Sequence, residues 1–183
     1  TQRGARVTVD ALFLGAADYV TKAQGANTYE EARIFLREQL VPKVRAIVSR
    51  AGSTSKNAYV VEASPAPSSD LEAIEVVVIG SSTGGPNALT TILGSIPADF
   101  PVPVLIVQHL PENFTTFLAK RLDAACALPV LEASNGAPVE AGTVSIAPGN
   151  LHLETRSTAR GIRLATNDGP LVNSCRPAAD ILF

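Results

Sequence analysis

Methionine and tryptophan are missing from this chain altogether, and histidine and cysteine occur only twice each in 183 residues. Each shortage closes off a class of protein. Two cysteines, Cys126 and Cys175, are too few and too far apart for a disulfide framework or a cysteine metal site, and in a reducing compartment they read as free thiols. Charged residues make up only 17% and nearly cancel, leaving a net charge of −2 and a pI near 5.7. With no Lys/Arg stripe, nucleic acid and anionic membrane surfaces are poor partners. No apolar run nears the roughly 20 residues of a membrane span, and no cleavable signal opens the chain. The expectation is a cytoplasmic protein with no membrane insertion. The missing methionine carries a further expectation. A complete translation product begins with one, whereas this chain begins at Thr1 and stops in the apolar run Ala179-Asp180-Ile181-Leu182-Phe183 with no cap or turn after it, so it reads as a fragment.

What is present is a 46% hydrophobic chain able to build one large or two small cores. Its most informative stretch is Val76-Val77-Val78-Ile79-Gly80-Ser81-Ser82-Thr83-Gly84-Gly85-Pro86, a buried strand running into a glycine-flanked serine and a helix start. Gly80-Ser81-Ser82-Thr83-Gly84 fits the G-x-S-x-G elbow, in which glycines permit a sharp strand-to-helix turn that lifts the middle hydroxyl clear of the sheet. Ser82 is the candidate nucleophile. The backbone N–H of Thr83, at the helix opening, is placed to stabilise an oxyanion. Pro86 suits the first helical turn. A helix from Asn87 to about Ser95 leads to Val102-Pro103-Val104-Leu105-Ile106-Val107-Gln108-His109, an apolar run typical of a central parallel strand. A βαβ crossover puts both strand exits on one edge of the sheet, where open α/β folds carry their sites, so His109, 27 residues after Ser82, is the candidate base. A phosphate-cradling loop competes with this reading, because helix N-termini bind anions. However, the glycines are not spaced G-x-G-x-x-G and no Lys-Ser/Thr pair closes a P-loop. His152 leaves a Pro-Gly turn and reads as a structural or rim residue.

Along the chain, Thr8 reads as an N-cap with Gly15 as the stop of a short helix, and Asp18–Lys22 as a strand. Thr28-Tyr29-Glu30-Glu31 is a capping box opening a helix that Pro42 ends or kinks, with a continuation to about Ser49. One helix, one strand and one helix bury little, so residues 1–49 look like the tail of a larger βα domain. Residues 50–73 are rich in Ser, Ala, Pro and Gly and read as a linker. From 74 to 183 the chain reads as α/β, with a helix near Phe114–Ala124, a strand near Pro129–Glu132, and short strands in 141–150 and 161–165.

Four motifs now stand in order: Ile79–Pro86, Gln108–Thr115, Ile146–His152 and Arg176–Phe183. Together they resemble the chemotaxis protein-glutamate methylesterases of the CheB family. Gly15-Ala16-Ala17-Asp18-Tyr19-Val20-Thr21-Lys22 resembles the last helix-to-strand passage of the receiver domain that precedes the esterase in that family. The resemblance implies a doubly wound, mainly parallel α/β sheet preceded by the end of a receiver-like (βα)5 domain. It implies hydrolysis of γ-glutamyl methyl esters on the cytoplasmic helices of chemoreceptors, often with deamidation of glutamines, under control of a receiver phosphorylated by a histidine kinase. Carried over by position, Ser82 is the nucleophile, His109 the base, Thr83 and Gly84 oxyanion or substrate contacts, Lys22 the phosphoryl contact and Tyr19 the switch aromatic. No cofactor is implied for the esterase, and Mg2+ only for an intact receiver. Two departures matter. The family's third triad member is an Asp in a G-M-G-x-D-G-like loop beyond Phe183, so Asp180 is not promoted to that role and the chain by itself is expected to be inactive. Ala23 follows Lys22 where receivers usually carry proline. The alternative function is a non-catalytic regulatory or anion-binding α/β module.

Overall fold

The computed structural model describes residues 2–22, 28–52 and 74–183. Most of the stretch read as a linker, with Tyr59-Val60-Val61 inside it, lies outside those residues, as does Ala23. The chain divides into two units, one made of Thr1–Ala16 with Ile74–Phe183 and the other of Ala17–Ala73.

In the smaller unit the capping box forms as its sequence dictates. Thr28 Oγ1 accepts the Glu31 N–H at 3.2 Å, and Glu31 Oε2 accepts the Thr28 N–H at 3.3 Å. The helix it opens, α2 (Tyr29–Gly52), is 24 residues long and carries Pro42 inside it. The helix does not end at Pro42 but continues past it as expected, because a proline removes one backbone donor and good helix formers on both sides carry the helix across. The expected strand at Asp18–Lys22 does not form, since a strand exists only where a neighbour takes up its N–H and C=O groups, and no strand of the described residues pairs with it. Side chains hold this segment instead. Lys43 Nζ donates to Asp18 Oδ1 at 2.8 Å and lies 5.0 Å over the Tyr19 ring. Burial, and then the charge of Asp18, push the Tyr19 phenol well above its usual range.

The larger unit begins with α1 (Gln2–Phe13), which starts six residues before the expected cap. Thr8 Oγ1 donates to the Gly4 carbonyl at 2.9 Å, a bond made within a helix and not at its start. Gly15 does end the helix, at φ 109°. Ala5, Val9 and Leu12 recur at helical spacing and are buried against helices α3 (Gly85–Gly94) and α4 (Phe114–Asp123).

Those helices cover one face of a parallel sheet with strand order β1-β2-β4-β3: β1 (Val77–Ser81), β2 (Val104–Gln108), β3 (Val130–Glu132) and β4 (Val144–Ile146). β2 is buried along its whole length between β1 and β4, which is why it reads as an unbroken apolar run. Side chains alternate between faces, and the register pairs Val104, Ile106 and Gln108 with Val77, Ile79 and Ser81 on the helix face. The other face carries Leu105 and Val107. It packs on an antiparallel hairpin, β5 (His152–Thr158) and β6 (Gly161–Asn167), through Leu153 and Leu164, with Ala179 and Leu182 of α5 (Ala179–Leu182) closing the cluster. Each fully buried leucine or valine of this cluster contributes on the order of 1.5–3 kcal/mol by leaving water. Among the described residues no helix is long and apolar enough to cross a membrane.

Candidate active site

β1 and β2 run parallel in register, with Ser81 opposite Gln108. The ladder extends one bond further, from the His109 N–H to the Ser81 carbonyl at 3.0 Å. Ser82 and His109 therefore leave the sheet side by side at its carboxyl edge, from strands about 4.8 Å apart. Ser82 is exposed, and His109, Thr83 and Gly84 are half-buried. Lys22 belongs to the other unit, where it is exposed.

The elbow rests on two glycines with different tasks. Gly84 sits at φ 77°, the left-handed conformation that turns the chain from strand to helix. Gly85 has no side chain because another side chain occupies the space: a Cβ there would lie 1.8 Å from Gln108 Oε1. Pro86 falls in the first helical turn as expected. Gln108 is 1% exposed and its amide is bonded at both ends, accepting from Ser81 Oγ at 2.7 Å and donating to the Ser82 carbonyl at 3.0 Å. Sequence reasoning placed Gln108 inside a motif without giving it a task. The available signal was a polar residue at the end of a strand that is otherwise entirely apolar.

His109 Nε2 is buried and makes no hydrogen bond to any described residue, and Nδ1 faces Cys175 Sγ at 3.8 Å. Burial holds the imidazole below the ordinary histidine pKa, and the charge of Asp180 opposes this less strongly. The ring is thus biased toward the neutral form that a general base requires.

The two later motifs build the wall beside His109. His152, 2% exposed, accepts the Ala178 N–H at Nδ1 (3.3 Å), so Nε2 carries the proton and donates to the Pro170 carbonyl at 2.9 Å. Arg176 donates twice to Asn150 Oδ1 and, at 2.7 Å each, to the Asp168 and Gly169 carbonyls. These bonds clasp 168–178 to the start of β5 and set Cys175 against His109. Gly149 is packed flat on the loop after His109, where a Cβ would come within 2.3 Å of the Pro111 carbonyl carbon. Its N–H donates to Thr115 Oγ1, and Thr115 and Thr116 both donate to the Glu132 carboxylate. Among the described residues no cluster of His, Cys, Asp and Glu could hold a metal ion.

Curated relatives align over the whole chain. A protein-glutamate methylesterase/protein-glutamine glutaminase of Trichodesmium erythraeum is 43% identical over 100% of this chain and 53% of its own length, and one from a Nocardioides species is 42% identical over 100% and 52%. The chain thus spans about half the length of the curated relatives it matches. The crystal structure of the Thermotoga maritima CheB methylesterase catalytic domain matches with a TM-score of 0.58 at 41% identity, covering 61% of this chain and 59% of that one. The family model for the CheB methylesterase matches residues 77–183, which hold the sheet, the elbow and His109, and the chain therefore belongs to the CheB methylesterase family.

Proposed function

We propose that this domain hydrolyses γ-glutamyl methyl esters, and deamidates glutamines, on the cytoplasmic domains of chemoreceptors, with Ser82 as nucleophile and His109 as general base. The observation that carries the reading is the pair itself: an exposed serine on a strand-to-helix elbow beside a histidine whose Nε2 is buried and bonded to no described residue. Ser82 Oγ attacks the ester carbonyl as His109 takes its proton, and the tetrahedral oxyanion faces the backbone at Thr83 and Gly84. His109 returns the proton to the leaving methanol. Water then attacks the acyl-serine with His109 again as base, releasing the glutamate carboxylate and restoring Ser82. The reaction as written needs no cofactor.

Control by a receiver phosphorylated by a histidine kinase completes the proposal, with 1–49 as the receiver's tail, 50–73 as linker and 74–183 as esterase in a cytoplasmic protein. The likeness of the relatives across the full chain, beyond the 77–183 match, supports this division. The boundary at 49 follows the shift to Ser, Ala, Pro and Gly in the sequence and not the packing, since α1 belongs to the unit that holds the sheet. Lys22 is the proposed phosphoryl contact. Magnesium would belong to an intact receiver, and the described residues offer no cluster that fits it, so no step is routed through it.

The test is methanol release from methylated receptor by the complete reading frame containing this chain, before and after Ser82→Ala. Loss of activity by several orders of magnitude in a folded variant is expected. Near-normal turnover would return Ser82 to a structural turn and leave a non-catalytic module as the better reading.

A further inference from the structure

We infer that Gln108 is a positioning residue for this reaction, and that its task is to aim the Ser82–Thr83 peptide group. The inference rests on the esterase reading above and deepens it.

A buried primary amide with unmet bonding capacity is costly, so the two bonds of Gln108 define both its orientation and its role. The Ser82 carbonyl can only accept, hence Nε2 must face it and Oε1 must face the Ser81 hydroxyl, which leaves no freedom to flip the amide. The same carbonyl also accepts the Gly85 N–H at 2.8 Å. Two donors from different elements therefore hold one oxygen, one from the end of β2 and one from the start of α3. A trans peptide is planar, with its C=O and N–H pointing in opposite directions. Fixing the Ser82 carbonyl toward Gln108 fixes the Thr83 N–H in the opposite direction within that plane. The donor proposed for the oxyanion is thus aimed by a side chain that never touches substrate. Ser81 Oγ, held by the same amide, anchors the residue immediately before the nucleophile.

The glycine at 85 fits this task. Its missing Cβ leaves the volume that the amide fills, with Gln108 Oε1, Cδ and Nε2 at 1.8, 2.8 and 3.1 Å from where a Cβ would lie. Gly85→Ala should displace the amide without altering it chemically, giving a second route to the same defect.

The experiment measures kcat and KM for a methylated receptor fragment with the complete reading frame, comparing wild type, Gln108→Leu, Gln108→Glu, Gly85→Ala and Ser82→Ala. Removing an oxyanion donor outright costs about 10²–10³ in kcat. Loss of its aim should cost Gln108→Leu roughly 10- to 100-fold in kcat, with KM within about threefold, and Gly85→Ala should follow in the same direction. Gln108→Glu supplies the readout that a merely structural residue would not give. An ionised carboxylate repels the Ser82 carbonyl, whereas a buried, protonated one can donate to it. The kcat ratio of Gln108→Glu to wild type should therefore rise as pH falls, with the His109 titration followed separately in each protein because the new carboxylate shifts it. A wild-type kcat in Gln108→Leu, or a Gln108→Glu ratio flat with pH, overturns the inference, and the latter decides even if Gln108→Leu does not fold. Full activity in Ser82→Ala would instead overturn the esterase mechanism itself, so the two failures are distinguishable.

Discussion

The molecule's two histidines stand in opposite conditions. At the start of β5, His152 is buried with both ring nitrogens committed to backbone groups, so its hydrogen-bonding capacity is spent on holding the chain together. At the exit of β2, His109 keeps Nε2 without a partner among the described residues beside an exposed serine. The same side chain serves as a clasp in one place and keeps an unbonded nitrogen in the other, and the base role proposed for His109 rests on that difference in which hydrogen-bonding capacity the fold leaves uncommitted. Burial alone would have ranked them wrongly, since His152 is the more deeply buried.

Exchanging each histidine separates the two conditions most sharply. His109→Gln in the complete reading frame should reduce methanol release by at least about 10³ while leaving the thermal midpoint nearly unchanged. A large loss of stability with little loss of turnover per folded molecule would mean that His109, too, is a clasp. His152→Leu should do the reverse. It leaves the Ala178 N–H buried without a partner, at about 1–3 kcal/mol, and frees the exposed Pro170 from its tie to the ring, so denaturant unfolding should show a loss of roughly 1–3 kcal/mol with kcat of the remaining folded protein close to normal.

Gly149 tests the wall between the two sites. An added methyl would meet the Pro111–Glu112 backbone, which cannot swing away as a side-chain end can. Gly149→Ala should cost about 1–3 kcal/mol, whereas the same change at Gly94, where a Cβ meets nothing within 4 Å, should leave stability nearly unaltered or raise it. Equal effects at the two positions would show that the turn at Gly149 relaxes freely.

Much of this was legible from local signals. Gly84 and Pro86 mark a strand-to-helix turn, the capping box at Thr28 forms bond for bond, and the apolar run ending in Gln108-His109 is the central strand whose exit adjoins the elbow. What could not be read depends on partners distant in sequence. Thr8 looks like a cap because nothing local distinguishes a capping hydroxyl from one bonded back to Gly4. Asp18–Lys22 has strand composition, but pairing is decided by neighbours. Gln108 and Gly85 are 23 residues apart, and only the parallel register brings the amide into the space the glycine leaves empty.

The smallest expected effect, and the one closest to the physics of the contrast, is the titration of His109 in the 183-residue chain. Burial disfavours the imidazolium, so the folded pKa lies below the ordinary value of about 6.5. Proton binding is then weaker in the native state than in the unfolded one. The stability that goes with a neutral His109 is present above the unfolded pKa and is lost as pH falls through the folded one. Asp180 works against this, because its carboxylate favours the charged ring. Asp180→Asn should therefore lower the His109 pKa further. With only two histidines, NMR titration of the imidazole protons is simple to assign, using His109→Gln to identify the resonance. A midpoint at or above the ordinary value, or an upward move in Asp180→Asn, would mean that the ring is solvated or paired and that its uncommitted nitrogen is not what sets it apart from His152.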